Sequence, residues 1–309
     1  HDALPISPIN TVTVKNVNIT GFATTTAVST YAGVYIGGVS VGTNGARRNA
    51  NISVINCDIQ GVQYGVYARG FGATARGNQD LGLIVRNNRI GGSLLIGGTA
   101  NASGIFLSNQ ANAFVENNVI SRSLNTVTGF KGIELSNAAS TISLDSNIII
   151  NANTIHTINA TSGGVTGIRV ALGNHQYPLA LKITNNTIAK LTSSGNATMA
   201  SFQYPIGILV EDSTIKAGID IINNSVSLTG ATLVGSSAAC LVTGTLTAGG
   251  IRVYNNIFSN RMQNLVGNAT AYNTYAIAVT RNQTGTSPNF VVVHPFDSID
   301  NNLYDRSEE

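Results

Sequence analysis

The stretch Leu181-Lys182-Ile183-Thr184-Asn185-Asn186-Thr187-Ile188 alternates apolar and polar residues over four positions and then breaks on two asparagines. Alternation is the period of a strand with one buried face, and Asn tolerates left-handed backbone, so the unit reads as a short strand running into a turn. The same unit stands at 83–90 (LIVRNNRI), 113–120 (AFVENNVI), 219–226 (IDIINNSV) and 251–258 (IRVYNNIF), with looser copies at 12–19, 52–59, 142–149 and 297–304. On this reading the first turn residue is Asn16, Asn56, Asn87, Asn117, Ser146, Asn185, Asn223, Asn255 and Asn301. A constant motif at irregular spacing implies one scaffold with loops of variable length.

A second motif lies between the copies. Gly33-Val34-Tyr35-Ile36, Gly65-Val66-Tyr67-Ala68, Gly104-Ile105-Phe106-Leu107, Gly132-Ile133-Glu134-Leu135, Gly167-Ile168-Arg169-Val170 and Gly207-Ile208-Leu209-Val210 share it, and 239–242 and 276–279 continue it with Ala for Gly. Each repeat therefore carries at least two strands. One such unit cannot bury its apolar face alone, so neighbours must stack on it, and stacked strand-turn-strand coils make a parallel β-helix. The expected fold is all-β: one solenoid domain of about eight or nine coils over 8–305.

The Asn-Asn-x-Ile turn and the Gly-Ile-x-Leu strand resemble the right-handed parallel β-helix repeat of the pectate-lyase-like superfamily, over nearly the whole chain. The resemblance implies a right-handed solenoid, with stacked turns that often form an asparagine ladder. It implies no particular activity, since unrelated functions share such scaffolds. IRVYNNIFSN at 251–260, TYAIAV at 274–279 and DNNLY at 300–304 also resemble large bacterial surface repeat proteins exported by type IX secretion. That resemblance implies a secreted or cell-surface location.

Composition agrees with a surface solenoid. Of 309 residues 43% are apolar, enough for a core, while only 10% are charged, well below the usual quarter. Asn, Ser, Thr and Gly must cover the exterior. A net charge of +3 on a long body points away from nucleic acid as a partner, and no stretch reads as a membrane span. Cys57 and Cys240 fall about five repeats apart, too far to pair, and are expected as buried small residues. The ends read as foreign: His1-Asp2-Ala3-Leu4-Pro5-Ile6-Ser7 and Arg306-Ser307-Glu308-Glu309 can both be encoded by sequencing-adapter ends. Residues 8–305 are then expected to be a fragment of a longer protein.

In-register stacking places equivalent residues of successive coils in columns about 4.8 Å apart. One outward column is expected to run Lys15, Ile55, Arg86, Glu116, Asp145, Thr184, Ile222, Tyr254, and a second places Asp220 between Lys182 and Arg252. Opposite charges then neighbour each other at Arg86 and Glu116, at Asp220 and Arg252, and at Glu134 and Arg169, which stabilises adjacent strands modestly. The candidate catalytic group is Glu116 with Asp145 and Arg86, two carboxylates on adjacent coils beside a cation. Such a group could hold Ca2+ or perform acid/base work on a polysaccharide. The resemblance implies an acidic calcium cluster with a basic proton abstractor for lyases on this scaffold, and here only two acids cluster. Glu211-Asp212 is read as decorating a turn, and the histidines His156, His175 and His294 form no dyad.

Tyr35, Tyr67 and Phe106 occupy one outward column on three coils. Such rings can stack on sugars or on one another. Asn87, Asn117, Asn185, Asn223 and Asn255 are structural turn residues. The expected function is a secreted or cell-surface structural or adhesive protein that meets a polysaccharide or cell-surface glycan and needs no cofactor. The alternative is a polysaccharide lyase or glycoside hydrolase whose site lies partly outside the fragment, and Ca2+ belongs to that alternative.

Overall fold

Each repeat folds into three short strands. In the coil that contains the opening stretch these are Leu181–Thr184, Thr187–Ser193 and Pro205–Glu211. Pro205 takes the first strand position, where its missing N–H costs least. The structure, a computed structural model, describes residues 9–22, 30–38, 43–45, 47–72, 77–98, 102–121, 129–137, 142–143, 145–160, 163–172, 174–175, 179–193, 204–211, 218–232, 236–244, 250–264, 274–281, 296–300 and 303–306. Residues 1–7 and 307–309, most of the two ends read as adapter-encoded, lie outside these, whereas Arg306 closes the last strand, Leu303–Arg306.

Successive repeats stack strand on strand, always parallel and in sequence order, into three large sheets, and a separate two-stranded parallel pair joins Ile142–Ser143 to Asn174–His175. The first sheet holds the strands before the Asn turn, the second those after it, and the third the glycine motif. Among the described residues the third sheet has 8 strands and the second 9, which makes eight full coils of a parallel β-helix and part of a ninth. Among the described residues no helix is long and apolar enough to cross a membrane.

The core is the interior of the helix. Inward residues of all three sheets, such as Ile183, Ile188 and Ile208, line up with their counterparts on neighbouring coils at 0% exposure in one continuous cluster. Cys240 lies within it and pairs in register with Ile208. Burial alone pushes its thiol pKa up to about 12, so it is a protonated apolar residue at neutral pH. Cys57 and Cys240 are both free. The glycines are the other half of this packing. A Cβ on Gly104 would lie 2.6 Å from both Ile120 Cγ2 and Gly132 O, so the side chain of one strand fits only because the facing residue has none.

The turn is built by both asparagines, in different ways. The first takes left-handed backbone, with φ of 57° at Asn87, 55° at Asn117, 56° at Asn185 and 57° at Asn223 and Asn255. The second turns inward. Asn88, Asn118, Asn153, Asn186, Asn224 and Asn256 are at most 1% exposed and form a ladder along the axis. From Asn88 to Asn224 each amide Nδ2 donates to the next Oδ1, as from Asn118 to Asn153 at 3.0 Å, and to a strand carbonyl, as from Asn118 to Val85 O at 2.9 Å. The same Oδ1 accepts the backbone N–H of the rung before, Asn118 N to Asn153 Oδ1 at 3.0 Å. Cys57 continues the column: its N–H donates to Asn88 Oδ1 at 2.9 Å and its thiol contacts Val14 O at 3.6 Å.

One copy of the repeat sits elsewhere than the sequence pattern places it. The strand beside Gln110–Glu116 is Ser146–Asn151, and Glu116 pairs with Asn151, not Asp145. The copy is therefore 148–155, with Ala152 (φ 54°) at the left-handed position instead of Ser146. The segments 142–149 and 148–155 both satisfy the alternation, and pairing with the neighbouring coils chooses the second.

A second polar column closes the start of the first sheet in the early coils. Asp80 accepts from Asn49 N at 2.8 Å and Asn49 Nδ2 at 3.0 Å, and Asp145 accepts from Gln110 N at 2.8 Å. Both carboxylates are buried. Desolvation raises the Asp80 pKa above 3.8, against hydrogen bonds from Asn49 and Gln110 that lower it. The unfolded chain therefore releases this proton at lower pH than the folded one. Stability contributed by Asp80 is greatest below the ordinary carboxylate value and falls as pH rises towards the raised one. Urea melts across pH of the wild type and Asp80→Asn will show the wild type losing stability relative to the variant over that interval, with a level difference above it. A difference that grows in the wild type's favour would contradict this assignment.

Candidate functional site

The outward face of the third sheet carries the densest arrangement of aromatic and charged side chains. Register pairing puts Tyr35, Tyr67, Phe106, Glu134, Arg169 and Leu209 in one column over six coils. The column is covered rather than solvated. Tyr67 is 3% exposed, Phe106 5% and Leu209 1%, while Tyr35 at the end is 37% exposed. Burial on both faces explains why these strands read as near-continuous apolar runs, such as Ile206 to Val210.

The rings of this column stack on each other. Tyr35 lies 5.4 Å from Tyr67 at 14° between planes, and Tyr67 lies 4.6 Å from Phe106 at 10°. Tyr64 meets both Tyr67 and Phe106 edge-on, and Tyr31 closes against Tyr64 and Tyr67. The faces of Tyr67 and Phe106 are thus occupied by protein, and Tyr35 alone of the three keeps an exposed ring. Its hydroxyl donates to Gly38 O at 3.2 Å.

The stack gives way to a charged cluster. Arg169 donates through Nη1 to Glu134 Oε1 at 2.6 Å, and through Nε and Nη2 to Glu211 Oε2 at 3.0 and 2.7 Å. Ser103 Oγ donates to Glu134 Oε2. Lys131 lies alongside, its ammonium pKa lowered by desolvation and by Arg169 against the opposing pull of Glu134 and Glu211. The pairing of Glu134 with Arg169 follows the sequence column. Glu211 is the last residue of its strand and a second partner of Arg169, rather than turn decoration. Asp212 lies outside the described residues.

The Glu116, Asp145 and Arg86 group is not assembled. Arg86 does meet Glu116, with Nη2 2.6 Å from Oε2, one coil apart as the column predicts. Asp145, however, stands at the head of its coil, 0% exposed and bonded to Gln110 N, six residues before Asn151, which meets Glu116 in register. Among the described residues no group of three His, Cys, Asp or Glu side chains could hold a metal ion. Asp220 lies between Lys182 and Arg252 in register, and Arg252 takes its carboxylate at 2.7 Å. His156 Nδ1 lies 3.0 Å from Oγ1 of its neighbour Thr157, and His294 lies outside the described residues.

No protein-family model, curated protein or solved structure matches this chain significantly.

The family resemblance therefore rests on the repeat pattern alone, and the site has to be read from its own geometry. Sequence columns found Arg86 with Glu116 and Glu134 with Arg169, because both pairs sit at equal offsets from a recognised motif. They missed the polar column of Asn49, Asp80, Gln110 and Asp145, whose members change between Asn, Asp and Gln from coil to coil. They also missed Arg69, which ends a glycine-motif strand.

Proposed function

We propose that this chain is a segment of a secreted or cell-surface β-helical scaffold with a structural or adhesive role, meeting glycans through the exposed end of its aromatic stack. The observation that carries this reading is the third-sheet column, where a stacked series of rings ends in Tyr35, the most exposed of Tyr35, Tyr67 and Phe106. A planar ring held rigidly by neighbours suits the apolar face of a sugar and loses little entropy on binding. The cross-coil ladders support the scaffold part. Asparagine rungs and ion pairs tie each coil to the next, as a stiff spacer requires.

The test is retention on a panel of immobilised neutral and uronate-containing polysaccharides, with product release assayed in parallel. The expected result is binding without turnover, weakened about three- to tenfold by Tyr35→Ala, which removes ring stacking worth about 1 kcal/mol. Equal binding by the variant would remove Tyr35 from the reading. Released oligosaccharide would favour the second reading, a polysaccharide lyase or glycoside hydrolase. That alternative is supported by Glu134 and Glu211 flanking Arg169 beside a lysine whose pKa is lowered.

A further inference from the structure

Arg69 is a buried cation that forms no ion pair with the described residues. It ends the strand Val62–Arg69 and is 3% exposed. Nε donates to Asn44 Oδ1 at 2.8 Å, while Nη2 is buried without a hydrogen-bond partner. The ion pairs of the described residues use Arg86, Arg89, Arg169 and Arg252, and none reaches Arg69. Its charge is felt by Tyr31 and Tyr35, but burial raises both phenol pKa values, so neither becomes a phenolate near neutral pH.

The next coil sets further unpartnered groups beside it. Ser108 pairs in register with Arg69, is 0% exposed, and its Oγ has no partner. Asn109 follows in left-handed backbone at φ 52°, 1% exposed, with neither Nδ2 nor Oδ1 bonded. Adjacent strands lie about 4.8 Å apart, so the guanidinium, hydroxyl and amide belong to one small region. A segment of the chain closes over it. Gly45 bridges to Phe71 and donates to Gly70 O at 3.2 Å, and the Asn44 amide fills the space where a Cβ on Gly72 would stand.

Leaving one buried charge unpaired costs several kcal/mol, and each orphaned neutral group about 1–3 kcal/mol. Water would satisfy the hydroxyl and the amide but would leave the cation uncompensated. An anion answers the three donors, since Nη2, Oγ and Nδ2 can each donate to it, and leaves the Asn109 Oδ1 acceptor to a water. We propose that Arg69, Ser108 and Asn109 form an enclosed site for a small monovalent anion of the halide class. The cover from Asn44 and Gly45 excludes a large polyanion, and a single guanidinium matches a single negative charge.

Bromide is the probe. Crystals of the wild-type chain grown in sodium bromide should give an anomalous peak within hydrogen-bonding distance of Arg69 Nη2 and Ser108 Oγ. At constant ionic strength, with gluconate as the balancing anion, the melting temperature should rise with bromide. Ser108→Ala should raise the half-saturating bromide concentration about tenfold, and Arg69→Met should abolish the dependence. Bromide found only on the outer surface, or a melting temperature equally bromide-dependent in the wild type and Ser108→Ala, would overturn the proposal. Should Arg69→Met fail to fold, the wild-type diffraction and Ser108→Ala decide the matter.

Discussion

Asn153→Ala will lower the unfolding free energy by about 4 kcal/mol. The side chain accepts from Asn118 N and Asn118 Nδ2 at 3.0 Å each, and donates to Val115 O at 2.9 Å and Asn186 Oδ1 at 3.0 Å. Alanine deletes all four bonds in a place that water cannot reach. Asn118 Nδ2 retains Val85 O, and Asn186 Oδ1 retains the Asn153 backbone N–H. Asn118 N loses its ladder acceptor and Val115 O its ladder donor, and an unsatisfied buried group costs about 1–3 kcal/mol. Loss of packing in the ladder adds to this. Asn117→Ala, one residue before the preceding rung, is the control. Its side chain is exposed and Ala152 already occupies the equivalent left-handed position, so its cost should be about 1 kcal/mol. Urea midpoints of the two variants measure the contrast, and equal losses would show that the ladder contributes no more than the bend.

The second large effect is expected at Arg169. Replacing it with Met removes both hydrogen-bonded contacts of a guanidinium held between Glu134 and Glu211. Glu134 has 8% of its side chain exposed and would keep only the Ser103 hydroxyl among its described bonds. Breaking one side of a buried pair costs about 3–5 kcal/mol, because the remaining charge is left without compensation. Arg169→Met should therefore lose about that much, and adding Glu134→Leu should recover most of it, since an apolar pair of similar volume does not need the missing charge. A double variant no better than the single one would place the loss in packing rather than charge. The equivalent change at Arg86 should cost less than about 1 kcal/mol, because 42% of that side chain is exposed and water screens the pair.

Legibility of the sequence differed sharply between the repeat and its surroundings. The pattern apolar-x-apolar-x-Asn-Asn-x-apolar located the turns at Asn87, Asn117, Asn185, Asn223 and Asn255, all in left-handed backbone. It did not say which asparagine of each pair is buried. Both positions accept the same residue, and the distinction is only that Asn88, Asn118 and their successors find a partner on the next coil. At 142–155 the pattern fits two segments, and the wrong one put Asp145 beside Glu116. Strand alternation has a short period and repeats within its own length, so only pairing with Glu116 and Thr184 removes the ambiguity.

The sequence by itself determined the class of fold, because a strand-and-turn unit repeated along the chain can bury its apolar face only by stacking on copies of itself. It also determined which charges meet wherever two motifs align without insertion, as at Arg86 with Glu116 and Glu134 with Arg169. The tertiary structure alone decided what is covered. Outward residues of the third sheet such as Tyr67, Phe106, Leu209 and Leu241 are buried, although their columns read as surface. It alone placed Asp145 in the column of Asp80 and set Arg69 beside Ser108 and Asn109. These juxtapositions join residues roughly 30 to 40 positions apart through the lengths of irregular loops. Loop length varies without altering the coil, so the local pattern carries no record of it.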